Sequence, residues 1–273
     1  MRKETWLMYD SFKRNINYMR ISVTDRCNLR CTYCMPEEGI PLLQHKNILS
    51  FEEIESFVRH AVSEGITKVR ITGGEPLVRR GIITLVEMIR KIPGIEDLSM
   101  TTNGILLGKY AAALKQAGLM RVNISLDTLD PRRFREITRT GDLQDVLNGI
   151  SAARNAGFDP IKLNCVIKKS RLEPDAILVA KFARENKLSV RFIREMDLEN
   201  GIFYEVDGGE GGKCNTCNRL RLTASGELKP CLFDKSSYNI RELGNEKAFS
   251  EAIKNKPACG TLNQKGTFYT LGG

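Results

Sequence analysis

Short stretches in which apolar and polar residues alternate recur along the chain, and longer amphipathic segments separate them. The first stretch, residues 18–24 (YMRISVT), is rich in β-branched residues and alternates as a half-buried strand does. The pattern predicts six strands, over residues 17–24, 68–72, 98–102, 121–126, 162–167 and 189–193. It predicts helices over residues 50–63, 81–91, 106–116 and 175–186, and two short helices between residues 131 and 156. Ser50 and Glu53 have the spacing of a capping box at the start of the first helix.

Strands that alternate with helices form parallel βαβ units, and right-handed crossovers curl six such units into an open barrel. We therefore predict an α/β fold, a partial (β/α)6 TIM-like barrel. In such barrels the chemistry lies at the carboxyl ends of the strands. Three motifs follow predicted strands: a cysteine-rich loop after the first, Gly73-Gly74-Glu75 after the second, and TTNG at 101–104 after the third.

The alternation ends after Met196. A glycine-rich segment at 207–212 predicts a linker or turn. A β-hairpin over 219–233, with its turn at Ala224-Ser225-Gly226, and a helix over 246–254 follow. We therefore divide the chain into the barrel, residues 1–196, and a small C-terminal extension, residues 197–273, which ends in Gly272-Gly273.

Cys27, Cys31 and Cys34 form a CxxxCxxC motif directly after the first strand. Zinc normally takes four protein ligands, or three and a water, and His45 lies too far along the chain to suggest a fourth. An iron–sulfur cube takes four sulfur ligands, one for each iron. Three thiolates would therefore leave one iron of a [4Fe–4S] cluster open to a small molecule. A zinc knuckle is the alternative interpretation.

Cys214 and Cys217 form a CxxC pair, and Cys231 follows after thirteen residues. The predicted hairpin would bring Cys231 back beside the pair, so three thiolates could again hold a cube with one open iron. A zinc ribbon and a CxxC redox pair are the alternatives. Cys259 is either an ordinary thiol or a fourth ligand that closes this cluster. Cys165, within an apolar strand, is expected in the core.

The composition, 41% hydrophobic and 27% charged, is that of a globular protein. No apolar run approaches the roughly 20 residues of a membrane span, and the first residues do not resemble a signal peptide. We therefore expect a cytoplasmic protein with no membrane partner. Eight cysteines in tight groups then favour cluster binding over disulfides. The net charge of +9 favours binding of a small polyanion such as a nucleoside triphosphate. A nucleic acid is disfavoured as a partner, because the sequence has no long basic run and only one Trp.

Several arginines occupy strand positions. Arg20 and Arg70 lie within apolar strands, where a buried charge needs either an anionic ligand or a buried carboxylate nearby. Arg219 and Arg221 alternate on a short strand and so point to one face. Because guanidinium groups bind phosphate oxygens in bidentate fashion, these four residues are candidate ligands of a triphosphate.

Further motifs are RITGGEP at 70–76, NISLDTLD at 123–130, REITR at 135–139 and NRLR at 218–221. Together with the cysteine motifs they resemble those of the radical S-adenosylmethionine (SAM) enzymes, and among them the GTP 3′,8-cyclase family of molybdenum-cofactor biosynthesis. The resemblance implies a partial barrel of the radical SAM type with a cluster-binding extension. It implies two [4Fe–4S] clusters, one on Cys27, Cys31 and Cys34 that binds SAM, and one on Cys214, Cys217 and Cys231 that contacts guanine.

The resemblance also implies roles for individual side chains. The SAM site would be lined by Tyr33, Gly74, Ser125 and Met196, and the carboxylate of Glu75 can accept from the SAM amino group. The triphosphate and ribose would be surrounded by Arg20, Lys68, Arg70, Thr101, Lys162, Arg191, Arg219 and Arg221. Arg219 and Arg221 are the candidate catalytic residues, and the Gly272-Gly273 tail would reach into the site.

The implied reaction is a cyclisation of GTP, in which a 5′-deoxyadenosyl radical removes hydrogen from the ribose 3′ carbon and the ring closes at C8 of guanine. An electron donor is required, and a homodimer is possible. Because the segment between Ile193 and Cys214 is shorter than the resemblance leads one to expect, a related enzyme acting on another nucleotide or on a peptide is the alternative. A non-catalytic iron–sulfur electron carrier is a third hypothesis, which the SAM motifs disfavour.

Overall fold

The computed structural model describes residues 8–197 and 200–261. The predicted Gly272-Gly273 tail lies outside these ranges. Within them the strands are β1 (Tyr18–Ser22), β2 (Lys68–Thr72), β3 (Asp97–Thr102), β4 (Arg121–Ser125), β5 (Lys162–Ile167), β6 (Ser189–Arg194), β7 (Arg219–Leu222), β8 (Glu227–Lys229) and β9 (Tyr238–Asn239). The helices are α1 (Phe51–Ser63), α2 (Ile82–Arg90), α3 (Leu107–Gln116), α4 (Pro131–Thr138), α5 (Leu143–Asn155), α6 (Pro174–Glu185), α7 (Ile240–Leu243) and α8 (Asn245–Lys254).

These strands form one sheet with the order β6-β5-β4-β3-β2-β1-β7-β8-β9. Strands β1 to β6 are parallel and adjacent in chain order, which confirms the predicted α/β architecture. Strand β7 pairs with the other edge of β1, also in parallel. Because β7 to β9 extend the same sheet, the C-terminal part of the described chain packs as a continuation of the barrel strands. The division at residue 196 stays a prediction.

The predicted hairpin differs from the structure in its second strand, which ends at Lys229 and not at Phe233. Pro230 follows directly, and proline has no N–H to continue a ladder. The two-residue strand β9 and the short helix α7 were not predicted. The predicted capping box at α1 is confirmed, since Ser50 Oγ accepts from Glu53 N at 3.1 Å and the Glu53 carboxylate accepts from Ser50 N at 2.6 Å.

The two faces of the sheet differ in chemistry because side chains alternate along each strand. Met19, Val69, Leu98 and Val122 belong to the buried core that the helices cover. Most of their neighbours in sequence line a cavity on the other side of the sheet, among them Arg20, Lys68, Arg70 and Arg121. The alternation therefore separates a dry core from a charged concave face. Within the described residues, no helix is long and apolar enough to cross a membrane.

Candidate functional site

The concave face of the sheet encloses a cavity of about 570 Å³. Both sets of cysteines line it, the set at 27, 31 and 34 and the set at 214, 217 and 231. The two sets are far apart in sequence, and they meet because β7, which follows the second CxxC pair, lies beside β1, which precedes the first motif. One cavity is therefore faced by six thiols.

The first cysteine loop is a compact turn at the carboxyl end of β1. The Cys31 carbonyl accepts from the N–H groups of Cys34 at 3.0 Å and Met35 at 2.9 Å. Burial raises the pKa of Cys31 to about 12, with help from the nearby Asp127 carboxylate, and burial raises the pKa of Cys34 to about 11. Buried thiols in an acidic neighbourhood become thiolates when a cation offsets their charge. The donor set therefore fits a cationic metal centre.

The second set has basic neighbours. Burial alone would raise the pKa of the Cys217 thiol, but Lys256 and Arg219 outweigh it and lower that pKa to about 7. The Lys256 ammonium, 3% exposed, donates to the carbonyls of Pro230 at 2.6 Å and Arg219 at 2.8 Å. Lys256 therefore ties the strand after Cys217 to the residue before Cys231, beside a thiol that ionises readily.

No group of three or more His, Cys, Asp or Glu side chains in the described residues is close enough to hold a single metal ion. A [4Fe–4S] cube is larger than one ion and takes one thiolate at each of three or four irons. The assignment of the cysteines as cluster ligands therefore rests on their spacing, their common cavity and their chemistry.

Gly74 has a structural reason to be a glycine. A Cβ at this position would collide with the backbone carbonyl of Arg26, directly before the first cysteine motif. The close approach is fixed by hydrogen bonds from Gly74 N to Thr24 O at 2.7 Å and from Glu75 N to Arg26 O at 2.8 Å. Gly74 lines the cavity, and it also lets the end of β2 pack against the cysteine loop.

Glu75 is not among the residues that line the cavity. Its carboxylate, 1% exposed, accepts from Leu77 N at 3.0 Å, Thr102 Oγ1 at 2.7 Å and Asn103 N at 2.7 Å. These bonds join the carboxyl ends of β2 and β3. The predicted contact of Glu75 with a SAM amino group stays a prediction, and in the described structure both carboxylate oxygens accept internal donors.

The other predicted SAM-site residues, Tyr33, Ser125 and Met196, line the cavity. The Tyr33 hydroxyl donates to Asp127 Oδ2 at 2.8 Å, and Asp127 Oδ1 accepts from Val166 N at 2.8 Å. Asp127, for which the sequence predicted no role, therefore links the cysteine loop to β5.

The basic residues predicted to bind a triphosphate converge on the same face. Arg20 is in register with Arg70 on β2 and with Arg221 on β7. Lys68, Arg70, Arg191, Arg219 and Arg221 line the cavity together with Arg20. Burial lowers the pKa of Arg191, and Arg70 lowers it further. Lys162 does not line the cavity, but burial and the charge of Arg191 lower its pKa, so it lies close to the set.

Three buried polar atoms that face this cavity have no hydrogen-bond partner among the described residues: Thr101 Oγ1, Asn164 Oδ1 and Arg191 Nε. A buried polar atom without a partner costs roughly 1–3 kcal/mol. Their clustering on one cavity wall fits a polar ligand that supplies the missing bonds. Asn164 and Arg191 are directly in register on β5 and β6.

Comparison with known proteins agrees with this site. A model of the Radical SAM superfamily matches residues 21–176, and a model named Molybdenum Cofactor Synthesis C matches residues 210–262. The chain belongs to the radical SAM superfamily and is an enzyme of this class.

Within that superfamily the chain belongs to the family of the proteins named GTP 3′,8-cyclase. It is 43% identical to the GTP 3′,8-cyclase of Thermodesulfovibrio yellowstonii, over 90% of this chain and 91% of that protein. It is 42% identical to the GTP 3′,8-cyclase of Moorella thermoacetica, over 92% of this chain and 94% of that protein.

Solved structures share the fold. SuiB of Streptococcus suis bound to S-adenosylmethionine has a TM-score of 0.64 and 17% identity, covering 90% of this chain and 66% of SuiB. Native anSMEcpe with bound AdoMet has a TM-score of 0.63 and 18% identity, covering 88% of this chain and 81% of that protein. These similarities concern the fold alone.

Proposed function

We propose that this enzyme is a GTP 3′,8-cyclase that uses SAM and two [4Fe–4S] clusters. The observation that carries the proposal is the single cavity, lined by both cysteine triplets and by the buried or half-buried basic residues of β1, β2, β6 and β7. The identity of about 42% to proteins named GTP 3′,8-cyclase, over nine-tenths of the chain, supports it.

The cysteines at 27, 31 and 34 would hold the SAM-binding cluster, and those at 214, 217 and 231 the second cluster. When bound, the SAM cluster would supply the electron that generates a 5′-deoxyadenosyl radical from SAM. The residues of the chain would bind and orient the reactants and exclude water.

The basic cluster would hold the triphosphate. A nucleoside triphosphate carries several negative charges, and guanidinium groups held by neighbouring strands bind phosphate oxygens in a fixed geometry. Arg70 is positioned by a hydrogen bond from its Nε to Ser99 Oγ at 3.2 Å and lies over the Tyr18 ring, 5.5 Å from its centroid. A preorganised cation of this kind loses little conformational entropy when the anion binds.

An apolar wall would keep water from the radical. The rings of Phe203 and Phe233 lie 4.6 Å apart, and Met196 packs against Phe233. All three side chains line the cavity. Water exclusion protects a reactive intermediate from side reactions.

The test is anaerobic. The protein is reconstituted with iron and sulfide, reduced, and incubated with SAM and GTP, with SAM and guanosine, or with SAM alone, and 5′-deoxyadenosine and altered nucleotides are assayed. We expect GTP to stimulate 5′-deoxyadenosine formation and to be cyclised, and guanosine to do neither because it lacks the triphosphate. SAM cleavage indifferent to GTP, with GTP returned intact, would contradict the proposal and favour another nucleotide or a peptide as substrate. The electron donor, the possible homodimer and the cytoplasmic location stay predictions from the sequence.

A further inference from the structure

Cys259 lies against the second cysteine triplet. Its Sγ is 3.0 Å from Cys214 Sγ. Cys259 is exposed, whereas Cys214 is half-buried at the cavity wall. This is a contact between a solvent-accessible thiol and a thiol assigned to the second cluster.

A buried arginine holds the two cysteines together. Arg14 Nη1 donates to the carbonyls of Cys214 at 2.8 Å and Ala258 at 2.9 Å, and Nη2 donates to Pro257 O at 2.7 Å. Arg14 Nε donates in turn to Asp10 Oδ2 at 2.6 Å, and both side chains of this ion pair are buried. The guanidinium therefore binds the backbone on either side of the sulfur contact.

The chain is fixed on the far side of Cys259 as well. Thr261 N donates to Phe233 O at 2.8 Å. Hydrogen bonds thus attach the segment from Pro257 to Thr261 to the backbone at two places. One is Cys214, and the other is Phe233, two residues after Cys231. The two sulfur atoms, 3.0 Å apart, are therefore held within about 1 Å of the S–S bond length of a disulfide.

We propose that Cys214 and Cys259 are a redox pair, which forms a disulfide in the cluster-free protein and so withholds Cys214 from the second cluster. The inference rests on the assignment of Cys214 as a cluster ligand in the proposed function. Bonded to Cys259, the Cys214 sulfur is no longer available as a thiolate. The disulfide and the three-cysteine cluster site are therefore mutually exclusive.

The oxidant is a low-molecular-weight disulfide such as oxidised glutathione. The exposed Cys259 thiol loses its proton and attacks this disulfide, forming a mixed disulfide and releasing one glutathione thiolate. The Cys214 thiolate then attacks the Cys259 sulfur and releases the second glutathione thiolate. In total, two protein thiols are oxidised to one disulfide, and one oxidised glutathione is reduced to two glutathione thiolates. The two protons lost by the cysteines protonate these thiolates.

A role for Cys259 as a fourth ligand fits the geometry less well. Each iron of a cube takes one external sulfur, so thiolates on different irons stand apart. Sulfur atoms 3.0 Å apart suit bond formation between them better than separate iron ligation.

The test compares the wild-type protein with the Cys259→Ser variant. Both are prepared reduced and free of clusters, and both are titrated anaerobically with oxidised glutathione. We expect the mass of the wild-type chain to fall by that of two hydrogen atoms. Its proteolytic digest should then contain a disulfide-linked pair of peptides. Fragmentation of that pair should place the link between Cys214 and Cys259. The fragmentation is needed because Cys217 is only three residues from Cys214, and a link to Cys217 must be distinguished from a link to Cys214. Cys259→Ser should not form the link, and the buried Cys165 should stay a thiol in both proteins and serve as the internal control.

Iron uptake is the second readout. Oxidised wild-type protein should bind about four fewer irons per chain than reduced protein, one cube's worth, and dithiothreitol should restore them. Cys259→Ser should bind the same iron before and after oxidation. A dominant link between Cys214 and Cys217, or iron uptake that ignores the Cys214–Cys259 link, would overturn the proposal.

Loss of iron or an altered electron paramagnetic resonance spectrum of the second cluster in reduced Cys259→Ser would also overturn it, since Cys259 would then be a ligand. Failure of the proposed function has a different signature. GTP would then not stimulate SAM cleavage, a result that leaves the peptide map unchanged.

Discussion

Arg20 on β1 and Arg221 on β7 are paired in register across neighbouring parallel strands. Burial lowers the pKa of Arg20 well below its usual value, and the charge of Arg221 lowers it further. Burial likewise lowers the pKa of Arg221 to about 10, with Arg219 contributing. The fold therefore concentrates positive charge at a cost in free energy that a bound polyanion would offset.

Replacing Arg221 with Gln should separate binding from stability. We expect the dissociation constant for GTP to rise roughly 10- to 100-fold, because a charge-assisted hydrogen bond contributes about 1.5–3 kcal/mol. In the ligand-free protein, the loss of the interactions that Arg221 makes is opposed by relief of its repulsion with Arg20 and Arg219, so the stability should change little. Calorimetric titration and thermal unfolding measure the two effects. Arg132→Gln, at an exposed position on α4, is the control, and unchanged GTP binding in Arg221→Gln would contradict the prediction.

Thr101 and Thr102 offer a matched pair of neighbouring hydroxyl groups at the carboxyl end of β3. Thr101 Oγ1 is buried at the cavity without a hydrogen-bond partner in the described residues, whereas Thr102 Oγ1 donates to Glu75 at 2.7 Å. Thr101→Val should stabilise the ligand-free protein by about 1 kcal/mol and weaken GTP binding by roughly 5- to 10-fold. Thr102→Val should instead destabilise it by about 1–3 kcal/mol. Denaturant unfolding and GTP titration of both variants test the contrast, and equal effects would refute it.

Gly74→Ala should disrupt the first cluster site, because its Cβ would meet the backbone of Arg26. We expect less iron per chain after reconstitution and little 5′-deoxyadenosine. Gly108 on α3 has nothing within 4 Å of an added Cβ, so Gly108→Ala should be stabilised by roughly 0.5–1 kcal/mol with full iron uptake. Normal iron binding in Gly74→Ala would show that the cysteine loop adjusts.

Glu75 should give the stability a distinctive pH dependence. Burial raises its pKa from 4.5 to about 7, against hydrogen bonds from Asn103, Thr102 and Leu77 that favour the charged form. The folded state therefore binds the proton more tightly than the unfolded chain, and the stability it contributes falls as pH rises from about 4.5 to 7. The loss is on the order of 3 kcal/mol.

Denaturant unfolding of cluster-free wild type and Glu75→Gln at several pH values measures this term. The variant should have nearly the stability of the wild type at pH 5, because its neutral amide replaces a carboxyl group that is protonated at that pH. Its stability should decline less between pH 5 and 7. Parallel curves for the two proteins would show that Glu75 does not titrate in this range.

Cysteine substitutions should distinguish the two clusters. Cys231→Ala should lose about four irons per chain, one cube's worth, yet still cleave SAM in the absence of GTP. Cys31→Ala should abolish 5′-deoxyadenosine formation. Iron analysis measures the loss of a cluster, and an assay of 5′-deoxyadenosine measures SAM cleavage. Loss of SAM cleavage in Cys231→Ala would contradict the model of two independent sites.

The alternation of polar and apolar residues determined much of this protein by itself. The six parallel strands, the capping box at Ser50 and both cysteine triplets are local patterns, and a period of two already assigns Arg219 and Arg221 to one face. The order of the first six strands follows from chain order and right-handed crossovers.

Other features were decided only by tertiary packing. The role of Glu75 as a link between β2 and β3, the absence of Lys162 from the cavity wall and the position of Asp127 depend on which strand ends meet. Arg14 and Lys256 carry no local signal, because the carbonyls that they bind belong to distant segments. The contact of Cys259 with Cys214 is of the same kind. Spacing along a chain identifies ligands within one loop. Groups from distant segments come together only in the folded chain, because hydrogen bonds between those segments hold them in place.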